Sequence, residues 1–290
     1  MKILVTSDLH YETGKRRFHI KGFDEAKALT WISGVADEAN ADSLIILGDI
    51  GDSISRQEWD ALAARFEIFS IYGNHDKYPL MKRIRNQDGS GVLMQDGQVK
   101  TLDGLRFGFI NGIVTHSGKQ KHGVPRKTPE QFVHFAEQMR HQIDFLCTHE
   151  SPPVYLYRKK LLGAENVLAA KLAADIAEPK IMLSGHLGFG PYSIAPIMDT
   201  KAVVSIRMDG SQDNRGYALI NTRRKDLTVY VDRQPKYTLR IPETVQQAEE
   251  IIANVNRFNE NRGASFKALV RTAEKHDMGL AEVKLRKILV

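Results

Sequence analysis

The chain has 290 residues, 42% hydrophobic and 26% charged, with 22 glycines and 10 prolines. That composition excludes a disordered or low-complexity polypeptide, and no stretch approaches the roughly 20 apolar residues of a membrane helix. The single cysteine, Cys147, excludes an intrachain disulfide and a thiolate zinc cluster, while a net charge of +6 suits an anionic substrate without demanding one.

Lys2–Thr6 is a short apolar run that reads as a buried strand. It is too brief for a secretory signal core, so a cytoplasmic protein is expected. Asp24–Ala39 carries Ala28, Leu29, Ile32, Val35, Ala36 and Ala39 at helical spacing, and Ser43–Leu47 is a second strand. Ser55 precedes Glu58 at capping-box spacing, and Trp59, Leu62, Ala63 and Phe66 follow on one helical face. Glu67–Tyr72 is a third strand, and this alternation predicts a parallel sheet with covering helices. Asp96-Gly97 and Asp103-Gly104 are hairpin turn signals, so Gly91–Ile110 reads as an antiparallel meander. The stretch Thr115–Lys127, with Lys119, Lys121, Arg126 and Lys127, reads as a solvated basic loop in preference to a contact from Arg126 or a lysine to substrate phosphate. Thr128 and Pro129 open a helix whose apolar face is Phe132, Phe135, Ala136 and Met139. Strands at Ile143–Thr148 and Lys180–Ser184 flank a helix near Asn166–Ala177, and residues 202–232 read as a second meander. Cys147, inside an apolar strand, reads as a packed core thiol.

From Thr244 strands give way to helical stripes: Ile251, Ile252, Val255 and Phe258, then Phe266, Leu269, Val270 and Ala273, then Val283, Leu285 and Ile288. Glu274, Asp277 and Glu282 interrupt the basic residues there, so the tail reads as helices packed on the domain or on a partner subunit, not as a nucleic-acid reader. The expected division is a main domain over 1–235 and a helical appendage over 236–290.

Five apolar strands end in metal-competent residues: KILVTSDLH, SLIILGD, EIFSIYGNHD, IDFLCTH and KIMLSGH. Ligands of α/β sheets collect beyond the carboxyl ends of strands, so residues 8–10, 49, 74–76, 149 and 186 are expected to converge. Asp8, His10, Asp49, Asn74, His149 and His186 form an oxygen- and nitrogen-donor set without thiolates, which suits Mn, Fe, Co, Ni or Zn. Gly48, Gly73 and Gly185 precede three of these residues, where a sharp backbone turn would aim the next side chain at the metal.

The blocks Asp8-Leu9-His10, Gly48-Asp49-Ile50-Gly51-Asp52, Gly73-Asn74-His75-Asp76, Thr148-His149 and Gly185-His186-Leu187-Gly188 resemble, in order, those of the calcineurin-like metallophosphoesterase family, over about residues 1–230. The resemblance implies an α/β sandwich of two mixed β-sheets flanked by helices, here with the C-terminal helical appendage. It implies one metal on Asp8, His10 and Asp49, a second on Asp49, Asn74, His149 and His186, and Asp49 as the bridge. It further implies a metal-activated hydroxide as nucleophile, His75 as a catalytic residue outside the ligand set, Asp76 as its orienting partner, and Asp52 behind the ligands. One or two divalent ions are expected, manganese first. The substrate class is a phosphorylated small molecule or nucleotide, as monoester or diester; no membrane partner is expected, and homo-oligomerisation is left open. One departure stands out: Gly188 occupies the place of a family histidine that ligates the first metal. That leaves three protein ligands there and opens a second reading, a phosphate- or nucleotide-binding regulator of low turnover. A nuclease is the third, carried by the basic charge alone. His116 and His122 could substitute for the missing ligand, but loop histidines are usually solvent-exposed.

Overall fold

The computed structural model describes residues 1–10, 26–152, 164–186, 191–198, 201–206 and 215–261. Strands β1 (Lys2–Thr6), β2 (Ser43–Leu47) and β3 (Glu67–Ile71) run parallel, because helices α1 (Ala26–Ala39) and α2 (Arg56–Ala63) return the chain between them. The Ser55 capping box is complete: its hydroxyl accepts from the Glu58 amide, and the Glu58 carboxylate accepts from the Ser55 amide. On the other side of β1 lies an antiparallel meander of β10 (Gly216–Asn221), β11 (Asp226–Val231) and β12 (Gln234–Arg240), giving the order β12-β11-β10-β1-β2-β3.

The second sheet contains β4 (Val99–Leu102), β5 (Leu105–Ile110), β6 (Phe145–Thr148), β7 (Ile181–Ser184), β8 (Tyr192–Met198) and β9 (Lys201–Ile206), in the order β4-β5-β6-β7-β9-β8. Helices α4 (Pro129–Gln138) and α5 (Ala164–Ala177) serve its parallel centre, and a single turn, α3 (Tyr78–Met81), follows β3. Side-chain alternation along the strands sorts the core into layers. Ile3, Val5, Phe69, Phe107, Phe145 and Leu183 face one another between the sheets. Leu4, Leu44 and Ile46 face out against Ile32 and Trp59, and Leu146 and Met182 face out against Phe132 and Ala173. Cys147 is buried between the sheets, where burial raises its thiol pKa far above the ordinary value, as a packed core thiol requires.

Three expectations are corrected. The antiparallel pairing expected from Gly91 begins only at Val99, where Asp103 and Gly104, both at positive φ, join β4 to β5 in a two-residue turn. Residues before it follow the edge of β3 through Ser70, which donates to Val92 and accepts from Met94. The second meander spans 216–240 and not 202–232, because Lys201–Ile206 pairs with β7 and β8 in the other sheet. Alternation marks a strand but not its partner, which is why that assignment failed. Finally, Lys127 of the basic loop is buried, whereas Lys119 and Lys121 are exposed as expected.

Helix α6 (Val245–Asn261) lays Val255 into the core between the sheets, and Asn259 Nδ2 donates to the Ile194 carbonyl at 2.9 Å. The later helical stripes lie outside the described residues, as does Gly188. No described helix is long and apolar enough to cross a membrane.

Candidate active site

Parallel strands of both sheets deliver their carboxyl ends to one place. The Asp8 amide donates to the Gly48 carbonyl at 3.0 Å, His10 to Asp49 at 2.9 Å, and the His186 amide to Asp8 Oδ2 at 2.9 Å. The turns that achieve this fall on the candidate ligands themselves. Asp8, His10, Asp49 and His186 all have left-handed φ, between 50° and 63°. For non-glycine residues that conformation costs on the order of 1 kcal/mol each, and such strain gathers at functional sites.

The glycines therefore play a part the sequence reading misassigned. Gly48 does turn with φ near 90°. Gly73 and Gly185 are instead demanded by space. A Cβ on Gly73 would lie 2.1 Å from Asp49 Oδ1, and one on Gly185 would lie 2.0 Å from Ser7 Oγ and 2.7 Å from Asp8 Oδ2.

Asp49 is the centre of the cluster. Its Oδ2 lies 3.2 Å from His149 Nε2 and 4.0 Å from His10 Nε2, while its Oδ1 accepts from the His75 amide at 2.7 Å. Asp8 Oδ1 lies 3.5 Å from His10 Nε2, and Asp8 Oδ2 accepts from Ser7 Oγ at 2.6 Å. The His149 and His186 rings lie 5.0 Å apart, and those of His10 and His75 4.9 Å apart in a T arrangement. Ligand atoms of His10, Asp49 and His75 fall within 4.8 Å of one another, and so do those of Asp49, His149 and His186. Asp49 is common to both groups.

A divalent cation fits this donor set. His149 Nδ1 faces the Leu47 carbonyl at 2.7 Å and so must be the donating nitrogen, which turns the Nε2 lone pair of a neutral ring toward the Asp49 carboxylate. Two buried acceptors face to face require a cation between them, whether a proton or a metal ion. Asn74 Oδ1 is likewise buried and accepts no hydrogen bond among the described residues. The electrostatics agree. Burial disfavours the His149 imidazolium, yet the Asp49 and Asp8 charges outweigh it and raise its pKa to about 10. Burial also opposes charge on Asp49, but His149, His10 and His75 hold that carboxyl far below its usual range. Asp8 is lowered too, burial being outweighed by His10 and His149. For His186 burial wins and the pKa falls, keeping the neutral ring that ligation needs.

Asp76 has other partners than the sequence suggested. Its carboxylate accepts from the amides of Gly73 at 2.6 Å, Asp49 at 2.7 Å and Gly51 at 3.1 Å, so it ties the two ligand-bearing turns together rather than orienting the His75 ring. Burial and the Asp49 charge push its pKa up to about 6, although these amides partly offset them. Asp52 accepts from the Ser53 hydroxyl at 3.0 Å. His116 and His122 are exposed and join neither ligand group.

Sequence reasoning missed Ser7 and Glu150. Ser7 steadies Asp8; its only signal was its place immediately before that residue. Glu150 is buried directly after His149 and accepts the Val114 amide at 2.9 Å, fastening the loop beyond β5 to the cluster. An acid following His149 in an apolar strand context was the available signal.

No curated protein aligns significantly with the sequence. Solved structures share the fold at low identity. TT1561 of Thermus thermophilus has a TM-score of 0.53 and 13% identity, over 83% of this chain and 99% of that one. A dimetal phosphatase of Danio rerio has a TM-score of 0.53 and 10% identity, again over 83% and 99%. GAP50, the anchor in the inner membrane complex of Plasmodium, has a TM-score of 0.50 and 10% identity, over 88% and 95%. Residues 1–188 match the family model of the calcineurin-like phosphoesterases, and the chain belongs to that family.

Proposed function

We propose that this chain is a metal-dependent phosphoesterase that hydrolyses a phosphomonoester or phosphodiester of a small molecule or nucleotide. The observation that carries the reading is the sharing of one buried carboxylate, Asp49, between two ligand groups at the same strand ends. Asp8, His10 and Asp49 would hold one ion, and Asp49, Asn74, His149 and His186 a second, manganese being the first candidate by donor type. A bound divalent ion supplies Lewis acidity, making a water nucleophilic near neutral pH and neutralising charge on phosphoryl oxygens. The fold shared with a dimetal phosphatase is consistent with two ions.

The chain's own residues supply the rest. His75 is half-buried, and its amide is anchored on Asp49, which sets the ring against His10 at the edge of the cluster. From there it would protonate the leaving oxygen or hydrogen-bond a phosphoryl oxygen. Asp76 keeps the Gly73 and Asp49 turns in register, so that His75 and the ligands keep a constant spacing. A low-turnover phosphate-binding role is the second reading, favoured by Gly188 where the family carries a histidine.

The test is turnover of an aryl phosphodiester and an aryl phosphomonoester by the purified protein, with and without Mn2+, beside a His75→Ala variant. Metal-dependent turnover that falls in the variant by about a hundredfold or more is expected. Turnover no higher than the variant's, with every divalent metal tried, would sink the hydrolase reading and leave the binding role.

A further inference from the structure

The strand that leads into the Gly73–Asp76 turn also walls a second concavity, of about 690 Å3. It opens beside the outer edge of β3, where Ser70 pairs with Val92 and Met94, between the 82–100 segment and the end of the basic loop at Arg126 and Lys127. That volume lies within the roughly 300–1,000 Å3 typical of small-molecule sites.

Its lining is charged in one sense. Lys82, Arg85, Lys100, Arg126 and Lys127 face a single carboxylate, Asp96, and that carboxylate is already paired with Lys127 at 3.0 Å. Lys127 is further held by the Asn111 carbonyl at 2.6 Å and the Tyr72 hydroxyl at 3.2 Å, which makes it part of the wall. Arg126 differs. Its Nε is buried, yet it has no hydrogen-bond partner among the described residues. A buried guanidinium N–H without an acceptor is costly, and an anion entering the cavity would supply one.

Aromatic rings share the same wall. Lys82 Nζ lies 5.4 Å from the Tyr78 ring centre, Lys100 Nζ lies 5.4 Å from that of Phe69, and Phe135 also lines the cavity. Cations set beside π surfaces match a ligand that carries both negative charge and a flat ring. We propose that this cavity is a nucleotide-binding site separate from the metal cluster, with phosphates on Arg126, Lys100 and Lys82 and the base against the ring wall of Tyr78 and Phe135. The proposal does not rest on hydrolysis at the cluster.

The experiment is calorimetric titration of the full chain with adenosine 5′-(α,β-methylene)diphosphate, which resists phosphatase cleavage, and separately with adenosine and with inorganic pyrophosphate. The analogue is expected to bind at least about tenfold more tightly than either part. Arg126→Ala and Lys100→Ala are each expected to weaken it by about tenfold, and His75→Ala by less than about twofold. Lys82→Ala, at an exposed position where misfolding is not a concern, should weaken it in the same sense. Absence of binding at millimolar analogue would overturn the site. So would affinity unchanged in all three cavity variants, which would put the analogue elsewhere, or pyrophosphate binding as tightly as the analogue, which would remove the base from recognition. Hydrolysis is read in the separate aryl-ester assay, so its failure leaves these outcomes untouched.

Discussion

At the scale of single residues, the cluster depends on atoms that are missing as much as on those present. Gly73 leaves room for Asp49 Oδ1, and an added Cβ at 2.1 Å would displace the one carboxylate common to both ligand groups. Gly73→Ala is therefore expected to abolish bound metal, measured by elemental analysis of the dialysed protein. Gly104→Ala sits at φ 83° with nothing near its Cβ, so it should keep its metal and lose only about 1 kcal/mol of stability. His75 needs its own check, because one of its ring nitrogens lies within 4.8 Å of ligand atoms of His10 and Asp49. If it acts as a proton donor, His75→Ala should keep full metal content while losing turnover; metal lost in step with activity would make it a ligand. Among these residues the blocks around Asp8, Asp49, Asn74, His149 and His186 were legible from sequence, because residue type and strand-end position are local properties. The three amides that Asp76 accepts come from two different turns, and no local pattern announces such partners.

At the scale of elements, Asp144 joins three strands of the second sheet at the end remote from the cluster. Its carboxylate accepts from the Arg106 amide at 2.9 Å and pairs with Lys180 at 3.0 Å, while its carbonyl accepts the Lys180 and Ile181 amides. Burial alone would raise its pKa, but the Arg106 amide and the Lys180 ammonium outweigh it and hold it below the usual carboxylate value. Since the folded pKa lies below the unfolded one of about 3.9, the stabilisation is present above that pH and lost as pH falls through the folded value. Asp144→Asn should cost about 1 kcal/mol in urea unfolding at pH 7, and the deficit should shrink as the pH is lowered below about 4. A deficit independent of pH would mean that the carboxylate's charge contributes nothing. The helices here were legible for a related reason: the capping partners Ser55 and Glu58, and the N-cap Thr128 with Pro129, are near neighbours in sequence, and both helices close their capping boxes, the second through Gln131. Strand partners were not, as Lys201–Ile206 shows by joining the sheet opposite to the one its apparent meander implied.

At the scale of the whole molecule, the cluster draws together β1, β2 and β3 of one sheet and β6 and β7 of the other, so an ion bound there would link both layers. Apart from such an ion, Asp8 and Asp49 are buried carboxylates that, among the described residues, are balanced by histidines. Binding to the folded state alone should then stabilise by about 2.7 kcal/mol at a hundredfold excess over Kd. We expect Mn2+ to raise the thermal midpoint by roughly 5 °C or more and a chelator to reverse it; a midpoint indifferent to both would argue against an ion at the cluster.

The sequence by itself determined the α/β class, the order of nearly all the strands and helices, and the five strand ends that carry the candidate ligands. Each of these rests on hydrophobic period, capping chemistry or residue type within a window of a few residues. Only the tertiary structure decided which sheet each strand joined, that Asp76 clasps backbone rather than His75, and that Lys127 is buried beside a basic cavity. Those features arise from contacts between segments far apart in the chain, where packing and charge balance choose among arrangements that local patterning leaves equivalent.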